Sequence, residues 1–316
     1  MVWRREVMVD IAAVIETLSA PFPSLTLVTP LQPVDSHARD RIEAGLTVDP
    51  LPVACAEIPP KGAAPPCHLA ERANDGEAVL RQLGLVPRAR PGQDSTQRQG
   101  LILLRSGTAR RAVLVFNGIA DRFALSRLLI MEQSAHVILV KDPDKCFGLL
   151  GIPELGADYG ACLSNLCRIL AALGAEEVYC IGFSAGGAPA LKFGMDLDVR
   201  GILGFSIPTT LDLRDDAGAE MNRYPQLVRL YRRARHLGTD LAAEYAARRP
   251  RPSLMLVHSR RHARDAWLAG RMGEIEGVTL LDTTGYDGHD THHWCVRMGL
   301  GRSLIERLFA QLPVRG

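Results

Sequence analysis

No run of this 316-residue chain approaches the roughly 18 apolar residues needed to span a bilayer. A membrane-crossing helix is therefore not expected. Neither charge is in excess, with 37 Lys and Arg against 35 Asp and Glu. That balance excludes a nucleic-acid binder working through bulk charge. The seven cysteines form no CxxC pair and no regular framework, which excludes a disulfide scaffold and fits free thiols in a reducing compartment. Glu6, Asp10 and Glu16 interrupt the first apolar stretch and leave no signal-peptide core. The expectation is a soluble, cytoplasmic protein with no nucleic-acid partner; its oligomeric state stays open. No internal repeat is visible.

Hydrophobic residues make up 47% of the chain, enough for a substantial core. Val7, Met8, Ile11, Val14, Ile15 and Leu18 share one face of a helix that Pro21 and Pro23 end. Leu25 to Thr29 fits a short strand. Up to about residue 98 the chain is rich in Pro, Ala and polar residues, with one helix-like piece from Glu77 to Leu85 and a linker-like stretch from Arg88 to Gly100. Residues 1–98 read as an appendage of unassigned role.

Residues 99–316 are regular. Leu101 to Leu104 and Ala112 to Phe116 are apolar runs at hairpin spacing. Helical spacing follows at Phe123, Leu125, Leu128, Leu129 and Met131, then a strand at His136 to Val140. A helix over Tyr159 to Leu173 precedes a strand at Val178 to Ile181. Val199 to Ile207, Ser253 to Val257 and Val278 to Leu281 complete the strands. Buried runs alternating with amphipathic helices predict an α/β domain with a mostly parallel central sheet and helices on both faces.

The stretch Gly182-Phe183-Ser184-Ala185-Gly186 sits between a strand and a helix-compatible segment through Leu191 and Met195. Glycines two positions either side of a serine remove the Cβ atoms that would collide when the backbone doubles back. The hydroxyl is thereby pushed above the sheet, and the Ala185 amide points where charge would build on an attacked carbonyl. The same residues would also serve a plain βα turn with Ser184 as a helix N-cap.

In this elbow, and in the order Ser, Asp, His along the chain, residues 99–316 resemble the α/β-hydrolase superfamily. The resemblance implies a serine hydrolase of the esterase kind working through an acyl-enzyme. It makes Ser184 the nucleophile, His289 in Gly285-Tyr286-Asp287-Gly288-His289 the base, and Asp265 the acid that orients it, with Asp212 as the alternative. Asp265 would equally suit a helix start. The second oxyanion amide would come from Gly118 or Ile119, in a loop that lacks the HGGG pattern of lipase-like members and would also serve as a turn. Asn117 and Phe183 fall among substrate contacts. A cap would occupy about 208–251; Arg229, Arg232 and Arg233 on its helical piece would attract an anionic substrate or form a solvated face.

An unassisted serine hydroxyl is a poor nucleophile near neutral pH, so a base is required. His292 and His293 rank behind His289 for that part. His289 and His292 with Asp287 or Asp290 also offer metal-ligand types, but without HExxH-like spacing no metal and no cofactor are expected. The partner is a small-molecule or acyl-carrying substrate. An acyltransferase or peptidase would use the same parts, and a scaffold that keeps the fold without the chemistry is the rival from another class.

Overall fold

The computed structural model describes residues 67–85, 100–118, 134–211, 232–233, 235–237, 240–283 and 285–310. The readings at residues 7–18, 25–29 and 123–131, and at Ile119, Asp212 and Arg229, lie outside them. Among the described residues, no helix is long and apolar enough to cross a membrane.

Helix α1 (Cys67–Gln82) leads into strands β1 (Leu101–Leu104), β2 (Arg111–Phe116) and β3 (His136–Val140). Helix α2 (Tyr159–Leu173), strand β4 (Glu177–Phe183), helix α3 (Gly187–Asp196) and strand β5 (Gly201–Phe205) follow. Helix α4 (Leu241–Ala247), strand β6 (Ser253–His258), helix α5 (Ala263–Gly270), strand β7 (Val278–Asp282) and helices α6 (Thr291–Arg297) and α7 (Gly301–Ala310) complete the chain.

The seven strands form one sheet in the order β1-β3-β2-β4-β5-β6-β7. All neighbours are parallel except β1 with β3. Central strands buried on both faces are continuously apolar, as in β5, where all five residues are buried. Alternate side chains feed two apolar layers. Leu114 and Phe116 join Leu166, Leu191 and Phe193 on one face; Val113 and Val115 join Leu304, Ile305 and Leu308 on the other. The architecture is α/β: a mostly parallel central sheet covered on both faces.

One expectation changes. β1 and β2 form no hairpin: β3 lies between them, and β1 runs antiparallel to it with Leu101 opposite Val140. The short link at residues 105–110 suggested direct pairing, but a parallel β2–β3 pair with the register Ala112 to His136 takes the edge of β2 on that side. Helix α1 begins ten residues earlier than the apolar pattern at Glu77 suggested, and it belongs to the core of the sheet. Leu80 and Leu85 are 3% and 8% exposed within that core, and the Arg72 guanidinium donates to the carbonyls of Arg105 and Ala135.

Gly76 explains how close this helix lies. A Cβ there would stand 1.8 Å from the Leu103 carbonyl oxygen, so only glycine lets the helix rest on the backbone of β1. Gly76→Val is expected to destabilise the fold by about 3 kcal/mol, the upper range for overpacking. A denaturation midpoint equal to the wild type would mean that α1 is not anchored this way.

Candidate active site

Three loops at the carboxyl ends of β4, β6 and β7 bring the site together. Ser184 follows β4 directly, in a single 3₁₀ turn over Ser184–Gly186 that runs into α3. Its φ is +50°, a left-handed conformation that costs an L-residue about 1–2 kcal/mol. The flanking glycines allow the turn to close. A Cβ on Gly182 would lie 2.6 Å from both the Ala190 Cβ and the Gly186 carbonyl oxygen; one on Gly186 would lie 2.2 Å from the Phe116 carbonyl oxygen. The elbow is thus pressed against the end of β2, and Ser184 projects from it.

Asp265 lies in the first turn of α5, after β6, and is 2% exposed. His289 lies between β7 and α6 with its side chain 34% exposed. Its Nδ1 is 3.0 Å and 2.9 Å from the two carboxylate oxygens of Asp265. A carboxylate only accepts, so Nδ1 carries the hydrogen and the lone pair of Nε2 faces the other way. There it meets the Ser184 hydroxyl at 2.8 Å. The result is a continuous chain from carboxylate to imidazole to hydroxyl, assembled from residues 105 positions apart.

The two other histidines of the cluster take different places. His292 is 1% exposed, with its ring centroid 3.8 Å from that of Phe183. Burial, with His293 and His289 nearby, pushes its pKa down to about 2, so it cannot hold a proton near neutral pH. The His293 ring lies tilted against that of His292, with centroids 3.8 Å apart. Only His289 meets Ser184. Phe183 forms a wall beneath the His289 and His292 rings. The Asn117 carboxamide is turned to the Val140 carbonyl at 3.3 Å and its N–H donates to the same oxygen at 3.0 Å. Asn117 thus binds β2 to β3. Gly118 follows it, with its Cα facing the Phe183 carbonyl. Arg232 and Arg233 are exposed. Cys180 is fully buried in β4, and burial pushes its thiol up beyond nucleophilic use.

A cavity of about 20 Å³ opens beside Gly118, Ala185 and Gly186, with Lys145, Phe147 and Pro189 in its wall. That is room for roughly one water molecule. Asp142 shapes this wall: its carboxylate accepts from the amides of Asp144 and Gly148, at 2.9 Å each, and of Cys146.

Sequence reasoning missed the residues that hold Ser184, Asp265 and His289 in place. His262, at the N-cap of α5, accepts from the Asp265 amide at 3.4 Å, and its ring lies 5.5 Å from that of His289. Its position three residues before Asp265 was the available signal. Thr291 donates its N–H to the His289 carbonyl at 2.8 Å, and its hydroxyl meets that of Ser206 at 3.0 Å. Ser206, at φ +48°, ends β5 one residue past the register partner of Phe183. The Ser259 hydroxyl donates to the Tyr286 carbonyl at 2.5 Å. These bonds tie the His289 loop to β5 and β6.

No family model and no curated protein matches this sequence. Among solved structures, the chain is similar to a capsule O-acetyltransferase of Neisseria meningitidis serogroup A, with a TM-score of 0.48 and 11% identity over 67% of this chain and 92% of that one. It is similar to an S-formylglutathione hydrolase from Agrobacterium tumefaciens, with a TM-score of 0.48 and 12% identity over 67% and 89%. An esterase from Pyrococcus furiosus gives 0.45 and 16% over 67% and 85%. At these scores, function is left to the geometry of the site.

Proposed function

We propose that this protein is a serine hydrolase acting on a carboxylic ester or a related acyl compound. The observation that supports it is the approach of His289 Nε2 to Ser184 Oγ at 2.8 Å, with the buried Asp265 carboxylate behind the same ring. As Ser184 Oγ attacks the carbonyl carbon, its proton passes to His289 Nε2. Asp265 holds the imidazole in the required tautomer and stabilises the imidazolium that forms. The carbonyl oxygen becomes an oxyanion, stabilised by the Ala185 amide and a second from Gly118 or Ile119. When the tetrahedral intermediate collapses, His289 returns the proton to the leaving alkoxide, which departs as an alcohol. Water, deprotonated by His289, then attacks the acyl-enzyme and releases the acid and Ser184. The scheme uses no cofactor.

The same reading assigns the segment around 208–251 to a cap over the acyl group, and residues 1–98 to an appendage whose helix α1 packs on β1. p-Nitrophenyl esters of graded chain length and charge test the function. Nitrophenolate release that depends on chain length, with saturation kinetics, is the expected result. A folded protein that cleaves none of them above the buffer rate contradicts an esterase.

A further inference from the structure

His292 is the least satisfied polar side chain near the site. It is 1% exposed, and neither ring nitrogen has a hydrogen-bond partner. A neutral imidazole carries one donor and one acceptor, and leaving both unmade in a buried place is costly. A phenyl ring would fill the space between Phe183 and His293 without that cost. Asp290 adds a second anomaly. It occupies the N-cap position of α6, yet its side chain makes no capping hydrogen bond. One oxygen of its exposed carboxylate and one ring nitrogen each of His292 and His293 all lie within 4.8 Å of one another.

We propose that Asp290, His292 and His293 form a site for a divalent transition-metal ion of the zinc type, and that its occupation suppresses the reaction at Ser184. Two imidazoles and one carboxylate are a donor set for such ions, with a position left for water. Bonds of about 2.0–2.2 Å require the ligand atoms to draw somewhat closer, a change that the exposed Asp290 side chain can supply by rotation. The unmade bonds of His292 are then made to the ion.

The second histidine cluster, His262, Asp265 and His289, meets the same distance limit, but its groups are already engaged. Both oxygens of Asp265 face His289, Nε2 of His289 faces Ser184, and His262 Nδ1 receives the Asp265 amide. Asp290 directly follows His289 in the chain. A dication held there opposes the positive charge that His289 acquires when it takes the serine proton. This effect on turnover rests on the nucleophile reading of Ser184; metal binding itself does not.

The test is a Co²⁺ titration of the chelator-treated full chain, followed by visible absorption, with fluorophosphonate labelling measured at each point. Saturation at one equivalent is expected, with labelling slowed at least about tenfold as the site fills and restored by EDTA. Asp290→Asn and His293→Gln should each weaken Co²⁺ binding by more than about tenfold, since even residues outside the ligand set act on that scale. Asp265→Asn should not weaken it. His292→Phe should fold and fail to bind. Absence of saturable binding, or binding lost in Asp265→Asn and kept in Asp290→Asn, overturns the site. Full occupancy with unchanged labelling overturns the suppression. Metal-free protein that does not label contradicts the nucleophile reading instead, and absorption still decides the site.

Discussion

Ser184→Ala is expected to lower turnover by a factor on the order of 10⁶, the scale on which a serine nucleophile and its base act as a unit. The substitution keeps the Cβ and removes only the hydroxyl that faces His289 Nε2. Stability should stay within about 0.5 kcal/mol of the wild type, since Ser184 is not part of either apolar layer. Adding His289→Ala should cost almost nothing more, because a base without a nucleophile has no proton to take. Ser184→Gly separates chemistry from backbone. It should be equally inactive but more stable than Ser184→Ala by about 1 kcal/mol, since glycine has no penalty at φ +50°. A Ser184→Ala protein retaining a tenth of the activity would end the nucleophile reading.

Asp265→Asn should lower kcat by roughly 10⁴ with little change in KM. The carboxylate fixes the tautomer by accepting from Nδ1, whereas a carboxamide can donate its NH₂ to Nδ1. The hydrogen then sits on Nε2, pointing at Ser184 Oγ, and the lone pair needed for proton removal is gone. The side chain is 1% exposed, so water cannot readily take its place. Asp212→Asn is the control and should keep most activity. A loss at Asp212→Asn with none at Asp265→Asn would move the acid to the chain after β5.

The parts of this site that sequence revealed are those with local causes. The elbow is legible because Gly182 and Gly186 are required by contacts within a few residues or at one strand end, and a strand-serine-helix pattern states that requirement directly. His289 and Asp265 were reached through chain order and resemblance, and they lie with Ser184 at the same end of the sheet. What was not legible is what long-range packing decides. No local pattern says that β3 intervenes between β1 and β2, or that Gly76 rests on Leu103. Thr291 and Ser206 meet across 85 residues, and nothing in either neighbourhood announces the other. The double hold of Asn117 on β3 is equally silent in sequence: its N–H and its carboxamide both donate to the Val140 carbonyl, 23 residues away.

The nucleophilicity of Ser184 in the folded chain is the central claim. Intact-mass and peptide mapping after treatment with a fluorophosphonate decide this without knowledge of the substrate. One adduct per chain on the peptide carrying Ser184 is predicted, absent in Ser184→Ala and slowed by orders of magnitude in His289→Ala. Folded wild-type protein that takes up no adduct, or takes it up equally well in Ser184→Ala, would contradict it.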